Sequence, residues 1–360
     1  MTTRTLITCV GDVAVTRRCG WCPACRRGVV GFDAWAGLGR DSLTPGGRRM
    51  AVLAGSRMSF DEAAAHLGEL CGIRVSDQTI RRACDASGAL AQAYMEGAAA
   101  AGPLREAAGP RECSTDGAKV NTREGWREGR AVVACRREAG VPAGVRGWKD
   151  RPLPKPSPRL AWAGIADSRA VGERMGALAE RLGWARGEGV SVVADGAAWV
   201  WTQARARLPL HEGVLDVWHL LEHLHAAGRV LHGEGEAARR WAELQRALLF
   251  RHGATRYLRS RLLPQAKKAA RDTPGGPAAR ALRSLLLYLW PHRGRMAYRD
   301  RLRRGLPIGS GQIEGVCKNT LNRRLRLNNA RWRPERADRM AALCCLHYSH
   351  QWERFWAAAA

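Results

Sequence analysis

The chain has 360 residues, enough for two or three domains with real cores, and 46% of them are hydrophobic. Its formal charge of +26 predicts salt-dependent attraction to polyanions, DNA or RNA first and an anionic membrane second, with part of that charge reflecting Arg-, Ala- and Gly-rich coding. No apolar run approaches the roughly 18 residues a membrane helix needs, and MTTRTLITCVGD lacks the apolar centre of a signal peptide, so spanning and secretion are both disfavoured.

Eleven cysteines, an odd number without a secretory leader, predict thiols and a metal site and not a disulfide framework. Cys19, Cys22 and Cys25 form C-x2-C-x2-C, with Cys9 upstream, and these four could supply a structural Zn2+ site. Residues 59–86 have helix-turn-helix character. Phe60, Ala63, Ala64 and Leu67 keep helical spacing, Gly72 marks the turn, and Ser76 caps a second helix carrying Arg81 and Arg82. Such a helix can enter the major groove, which makes Arg81 and Arg82 candidate DNA contacts. The Ala-rich run 89–108 reads as a helical connector.

From residue 111 the pattern changes to strands. RECSTDGAKV and REGRAVVACRRE predict two strands joined by a polar turn around 122–129, with Asp116 in or just after the first. A Pro-rich loop, 148–158, leads to a third strand, 159–165, and a helix, 169–182, with Val171, Met175, Leu178 and Leu182 inward. A buried strand, 190–194, ends on Asp195, and a fifth, 213–215, ends on Asp216. Three strands, a helix, a strand, a helix and a strand is the order of a ribonuclease-H-like α/β fold, in which carboxylates at the ends of strands one and four face each other. Residues 217–304 are helical by pattern, with breaks expected at Pro264 and at Pro274–Pro277.

The stretch GLPIGSGQIEGVCKNTLNRRLRL, 305–327, follows. Gly309 and Gly311 allow a tight turn, and Gly311 as N-cap places Glu314 at the third helical position. Glu314, Lys318, Leu321, Asn322 and Leu325 then share one face. Lys318, Arg323, Arg324 and Arg326 are candidate phosphate contacts. Asp116, Asp195 and Glu314 together form a hard-oxygen set suited to two Mg2+ or Mn2+ ions and phosphoryl transfer. A competing set is HLLEH, with His219, Glu222 and His223 in the H-x-x-E-H spacing of a zinc metallopeptidase. That reading leaves the charge and the helix-turn-helix unused.

The pieces STDGAKV, VVADGAAWVW, LDVWHLLEHL and GLPIGSGQIEGVCK, with Arg331–Trp332 and a tail carrying Ser349, Trp352 and Trp356, resemble bacterial insertion-sequence transposases of the DDE superfamily. The likeness is closest to the ISKra group and more distant to Mutator-like transposases, and it covers nearly the whole chain. WCPACRRGVVGFDAWAGL resembles the family's cysteine knuckle. The resemblance implies a ribonuclease-H-like catalytic core interrupted by an all-α insertion, and Mg2+-dependent DNA cleavage and strand transfer at the element's ends. It implies Asp116, Asp195 and Glu314 as metal ligands, with Asp216 and His219 in a structural role. The family usually has another cysteine pair upstream. Its absence here implies a site rebuilt with Cys9 and Cys19, or an N-terminally truncated copy.

The expected organisation is therefore a cysteine region over 1–50, a helix-turn-helix and connector over 51–110, the first part of the core over 111–217, a helical insertion over 218–304, and core completion over 305–360. The expected partners are double-stranded DNA, as terminal repeats and target, and further copies of the chain, with no membrane and a cytoplasmic, nucleoid-associated location. The alternative function is a catalytically inactive DNA-binding relic.

Overall fold

The computed structural model describes residues 1–39, 41–184 and 189–359. It opens on two hairpins, β1 (Thr2–Thr8) with β2 (Gly11–Arg17) and β3 (Gly20–Cys22) with β4 (Arg27–Val29), and a short α1 (Gly31–Trp35). Four helices follow: α2 (Pro45–Gly55), α3 (Phe60–Cys71), α4 (Asp77–Glu96) and α5 (Ala98–Glu106). Ser59 closes a capping box with Glu62, Gly72 ends α3 in the left-handed conformation, and Ser76 Oγ accepts from Thr79 N at 3.2 Å to start α4. The expected boundary at residue 50 falls inside α2, because this helix packs on α3 and α4 and belongs to the same helical layer.

The centre is a five-stranded mixed sheet: β5 (Arg111–Thr122), β6 (Gly125–Arg136), β7 (Arg159–Ile165), β8 (Val190–Ala194) and β9 (Leu210–Leu215), in the order β7-β6-β5-β8-β9. β7, β6 and β5 run antiparallel, and β5, β8 and β9 run parallel. The turn expected over 122–129 is reduced to Arg123 and Glu124, since Thr122 already pairs with Gly125. Both hairpin strands are therefore longer than their apolar cores. β7 and β8 have the expected bounds, and β9 begins three residues earlier than its apolar triplet, at Leu210. Between them, α6 (Ser168–Arg181) buries Val171, Met175 and Leu178 and ends on a buried Leu182, and α7 (Ala198–Arg207) follows Asp195.

Beyond the sheet, 217–304 is helical among the described residues: α8 (Val217–His232), α9 (Glu236–His252), α10 (Ala254–Tyr257), α11 (Leu263–Asp272), α12 (Pro277–Leu289), a 3₁₀ segment (Trp290–Arg295) and α13 (Tyr298–Arg303). Pro264 does not break the chain as expected. A π turn, Leu258–Leu262, joins α10 to α11 in one run of helical backbone, and Pro264 follows directly at the second residue of α11, beside the wider turn. These helices close a second core around Leu220, Leu224, Leu249 and Leu289. Arg301 of α13, 1% exposed, donates to Glu212 of β9 at 2.6 Å and to the Pro307 carbonyl at 2.8 Å, which ties the end of this region to the sheet edge.

The chain then returns to the sheet through α14 (Gly311–Val316), a π-helix (Cys317–Leu325), α15 (Pro334–Tyr348) and α16 (Trp352–Ala359). α15 lies against both β7 and α4, so the N-terminal helices and the sheet share one continuous core.

Candidate active site

The parallel strands set the register. Cys113 pairs with Val192 and Ala194 pairs with Leu215. Continuing each pairing along the strands places Asp116, Asp195 and Asp216 level across β5, β8 and β9. Asp195 and Asp216 directly follow the carboxyl ends of β8 and β9, where ligands of open α/β sheets bind. Asp116 is not at a strand end as expected: β5 runs on to Thr122 in its hairpin with β6, and Asp116 stands just past the stretch of β5 that pairs with β8.

The three carboxylates have different surroundings. Asp116 is half-buried and accepts from Gly117 N at 2.7 Å. Burial pushes its carboxyl above the ordinary carboxylate range, and the negative charge of Asp195 pushes it further, against His219 and Arg130. Asp195 accepts from Ala197 N at 3.0 Å at the entry to α7, and its carbonyl accepts from Trp201 Nε1 at 3.0 Å. Asp216 is buried and fully engaged. Its Oδ1 accepts from Trp218 N at 2.6 Å, and its Oδ2 accepts from Ser310 N at 2.9 Å and from the Ser310 hydroxyl. Burial raises the Asp216 carboxyl, but the neighbouring His219 imidazole and the donors from Ser310 and Trp218 outweigh it and hold it below the ordinary range.

His219 Nδ1 stands 3.8 Å from Asp216 Oδ2, an ion-pair and not a hydrogen-bond distance. The Asp216 carboxylate nevertheless raises the imidazole to about 9, against its own partial burial. His223, four residues on, stacks on Tyr288 with ring centroids 3.6 Å apart. The HLLEH pair is thus divided between an ion pair and a ring stack, with Glu222 exposed.

Glu314 enters on α14. The N-cap is Ser310, one residue before the expected Gly311, because the Asp216 clip fixes Ser310 there. Gly309 does not need a left-handed backbone; a Cβ there would stand 3.0 Å from Trp218 Nε1. One turn along, buried Gln312 donates to Glu112 of β5 and accepts from the Cys135 thiol of β6, while Tyr348 Oη donates to its carbonyl at 2.7 Å. Glu112 also pairs with Arg137 at 3.4 Å. This buried network seats α14 on the sheet with Glu314 exposed. Cys317, three residues on, is pushed up to about 12 by burial first and then by the negative charges of Asp116 and Glu314. Replacing Gln312 with leucine removes the amide donor from the buried Glu112 carboxylate, leaving it the Arg137 pair, and leaves the Cys135 thiol without its Gln312 acceptor. A loss of about 2–3 kcal/mol is expected in urea unfolding, and the conservative Gln312→Glu change, which adds a second buried negative charge, should not rescue it.

The expected face of the Glu314 helix splits. The i→i+5 hydrogen bonding of the π-helix widens the turn, so Glu314, Lys318 and Asn322 point to solvent while Leu321 and Leu325 are buried. Lys318, Arg323 and Arg326 are exposed as expected, but Arg324 is not a surface contact. It is 2% exposed, donates to the Gly55 carbonyl at 2.8 Å, and lies over Phe60 at 4.6 Å. Its long apolar stem and planar head fill the seam between α2, α3 and the π-helix. On α4, Arg82 is exposed, while Arg81 is half-buried and donates to Gln78 Oε1 at 2.9 Å on the same helix.

Of the cysteines, Cys22 and Cys25 meet. The N–H and thiol of Cys25 and the N–H of Ala24 point at Cys22 and lower its thiol. Cys9 instead lies against Gly46 of α2, and Cys19 against Gly28. No three His, Cys, Asp or Glu side chains are gathered as a ready-made metal shell among the described residues.

Sequence reasoning missed Ser310, Gln312, Glu112 and Arg130. Arg130 lies 4.3 Å over Trp199, opposite Gly117 and beside Asp116. No known protein-family model matches the chain, and no curated protein sequence matches it. No helix among the described residues is long and apolar enough to cross a membrane.

Proposed function

We propose that this chain is a DNA transposase of the DDE type, acting in the bacterial cytoplasm, whose ribonuclease-H-like core cleaves and joins phosphodiesters with Asp116, Asp195 and Glu314. The observation that carries this reading is the level placement of Asp116 and Asp195 on adjacent parallel strands, with the Glu314 helix seated on the same strand through Gln312 and Glu112. The 3-2-1-4-5 strand order, with one antiparallel hairpin side and one parallel side, supports it.

The donor set fits hard divalent cations. The negative charge of Asp195 helps to raise the Asp116 carboxyl, a like-charge repulsion that a cation between them relieves, and carboxylate oxygen suits Mg2+ or Mn2+. Asp116 and Asp195 would hold such ions, with Glu314 from the neighbouring helix. Bound there, they supply charge neutralisation and activation of an attacking hydroxyl in phosphoryl transfer.

The chain's own residues do the positioning. Asp216 and Ser310 fix the start of the Glu314 helix, Lys318, Arg323 and Arg326 face the DNA phosphates, and protonated His219 partly balances the acidic cluster. The HLLEH peptidase reading is less favoured, because His219 pairs with Asp216 and His223 stacks on Tyr288.

The test is strand cleavage of a labelled duplex carrying the sequences that flank this gene. We expect nicking at the element boundary with Mg2+ or Mn2+ and none in EDTA. Tight binding to those ends with no cut under either ion would replace the transposase by a DNA-binding relic.

A further inference from the structure

A second basic feature lies apart from the carboxylates. A cleft of about 710 Å³ opens between the first turns of α3 and α4, the tip of the β5–β6 hairpin and the segment that joins the π-helix to α15. Seven of its lining residues are arginines, against three aspartates, so the cleft is anion-seeking. Asp85 is already occupied, by Arg339 at 2.9 Å and Arg336 at 3.8 Å. Asp61 and Asp77 sit in the first turns of α3 and α4, where they complement the helix dipoles. Arg123, Arg331 and Arg333 are exposed and make no ion pair among the described residues.

The wall of the cleft is built, not merely charged. Trp332 is pinned to the hairpin tip: its N–H donates to the Asn121 carbonyl at 3.1 Å, its carbonyl accepts from Arg123 N at 2.9 Å, and its Nε1 donates to the Leu325 carbonyl at 3.0 Å. The two residues that flank it, Arg331 and Arg333, are therefore carried on a fixed segment. Behind them, Arg324 lies 5.1 Å from the Trp332 ring, with Nη2 buried and without a hydrogen-bond partner and with no carboxylate paired to it among the described residues. A buried guanidinium left with an unused donor favours an anion nearby.

We propose that this cleft grips the phosphate backbone of duplex DNA through Arg331 and Arg333, with Arg324 as the positioning residue behind Trp332. It continues the phosphate track that begins at Lys318, Arg323 and Arg326 and delivers it to the first turn of α4. The proposal rests on the DNA reading above. It makes the hairpin tip, and not only the second helix of the helix-turn-helix, part of the DNA grip.

The test is fluorescence anisotropy of a labelled duplex of arbitrary sequence, in EDTA, over a salt series. The Arg331→Ala/Arg333→Ala double variant is expected to reduce the slope of log affinity against log salt by about 2. The matched Arg331→Lys/Arg333→Lys variant should regain most of that slope, which a folding defect would not allow. A double alanine variant of Arg239 and Arg240, exposed on α9, is expected to keep the wild-type slope. A wild-type slope in the Arg331/Arg333 variant, or an equal loss from the α9 pair, would overturn the cleft. So would inorganic phosphate abolishing the wild-type–variant difference at matched ionic strength, which would make it a small-anion site. Because EDTA removes any metal step, a failed cleavage test leaves this comparison readable, and failure here leaves the carboxylate reading standing.

Discussion

Replacing Asp195 with alanine is expected to lower metal-dependent strand cleavage by at least roughly 10³-fold, at or beyond the upper end of what removing one transition-state donor costs. Binding of the same duplex in EDTA should stay within about twofold, since no phosphate contact is lost. Asp195 has few structural duties: its carboxylate accepts the Ala197 N–H, a turn contact that a short loop can replace with water. A parallel drop in cleavage and in binding would show a damaged fold and would remove the support for a catalytic aspartate.

The neighbouring Asp116 gives an independent readout. Its carboxyl is raised by burial and by Asp195, so its ionised form opposes folding. Stability tied to this group is whole below the unfolded carboxylate range, near pH 4, and is lost as pH rises through the raised native value. At neutral pH, Asp116→Asn should therefore raise the Tm of metal-free protein, by roughly 1–2 °C because the group is still partly open to solvent. Mg2+ should raise the Tm of the wild type and not of this variant, a differential scanning result that needs no substrate.

Much of the frame was legible in the sequence because it is local. Short, mostly apolar runs marked β7 and β8, and the spacing of Val171, Met175 and Leu178 gave the buried face of α6. Ser59, Gly72 and Ser76 act within a turn of their own helices, so their types were sufficient. What was not legible depends on distant partners. Gln312 meets Glu112 across 200 positions of chain, and Arg324 meets Gly55 across 269. In sequence each reads as an ordinary polar residue on a basic helix. The π-helix was hidden for a related reason, since CKNTLNRRL carries an adequate α-helical pattern and the wider turn follows from packing. Pro264 misled because it lies beside a π turn inside one helical run, and that turn has no local signature.

Asp216→Ala should be the most destabilising change near the site, costing about 3–5 kcal/mol, on the order of 1 M in urea midpoint. The alanine leaves Ser310 N, Trp218 N and the Ser310 hydroxyl without their acceptor in a buried seam, and removes the main counter-ion of His219. Asp216→Asn should cost less, since its amide oxygen can keep one N–H, yet it still forfeits the charge that His219 requires. The pH profile identifies the pair. His219, raised to about 9, contributes stability that is whole below about pH 6.5 and lost as pH climbs through 9. Asp216, lowered, contributes stability that is whole above about pH 4 and lost as pH falls through its native value. The wild type should hold a plateau between those limits and weaken towards pH 9, and both Asp216 variants should lose that alkaline slope. Because the same carboxylate fixes Ser310 at the start of α14, both variants should also cut more slowly at saturating DNA while binding it normally in EDTA. A variant that keeps the wild-type alkaline slope would show that His219 draws its charge from Glu222 or Asp195 instead, and Asp216 would then be a cap and nothing more.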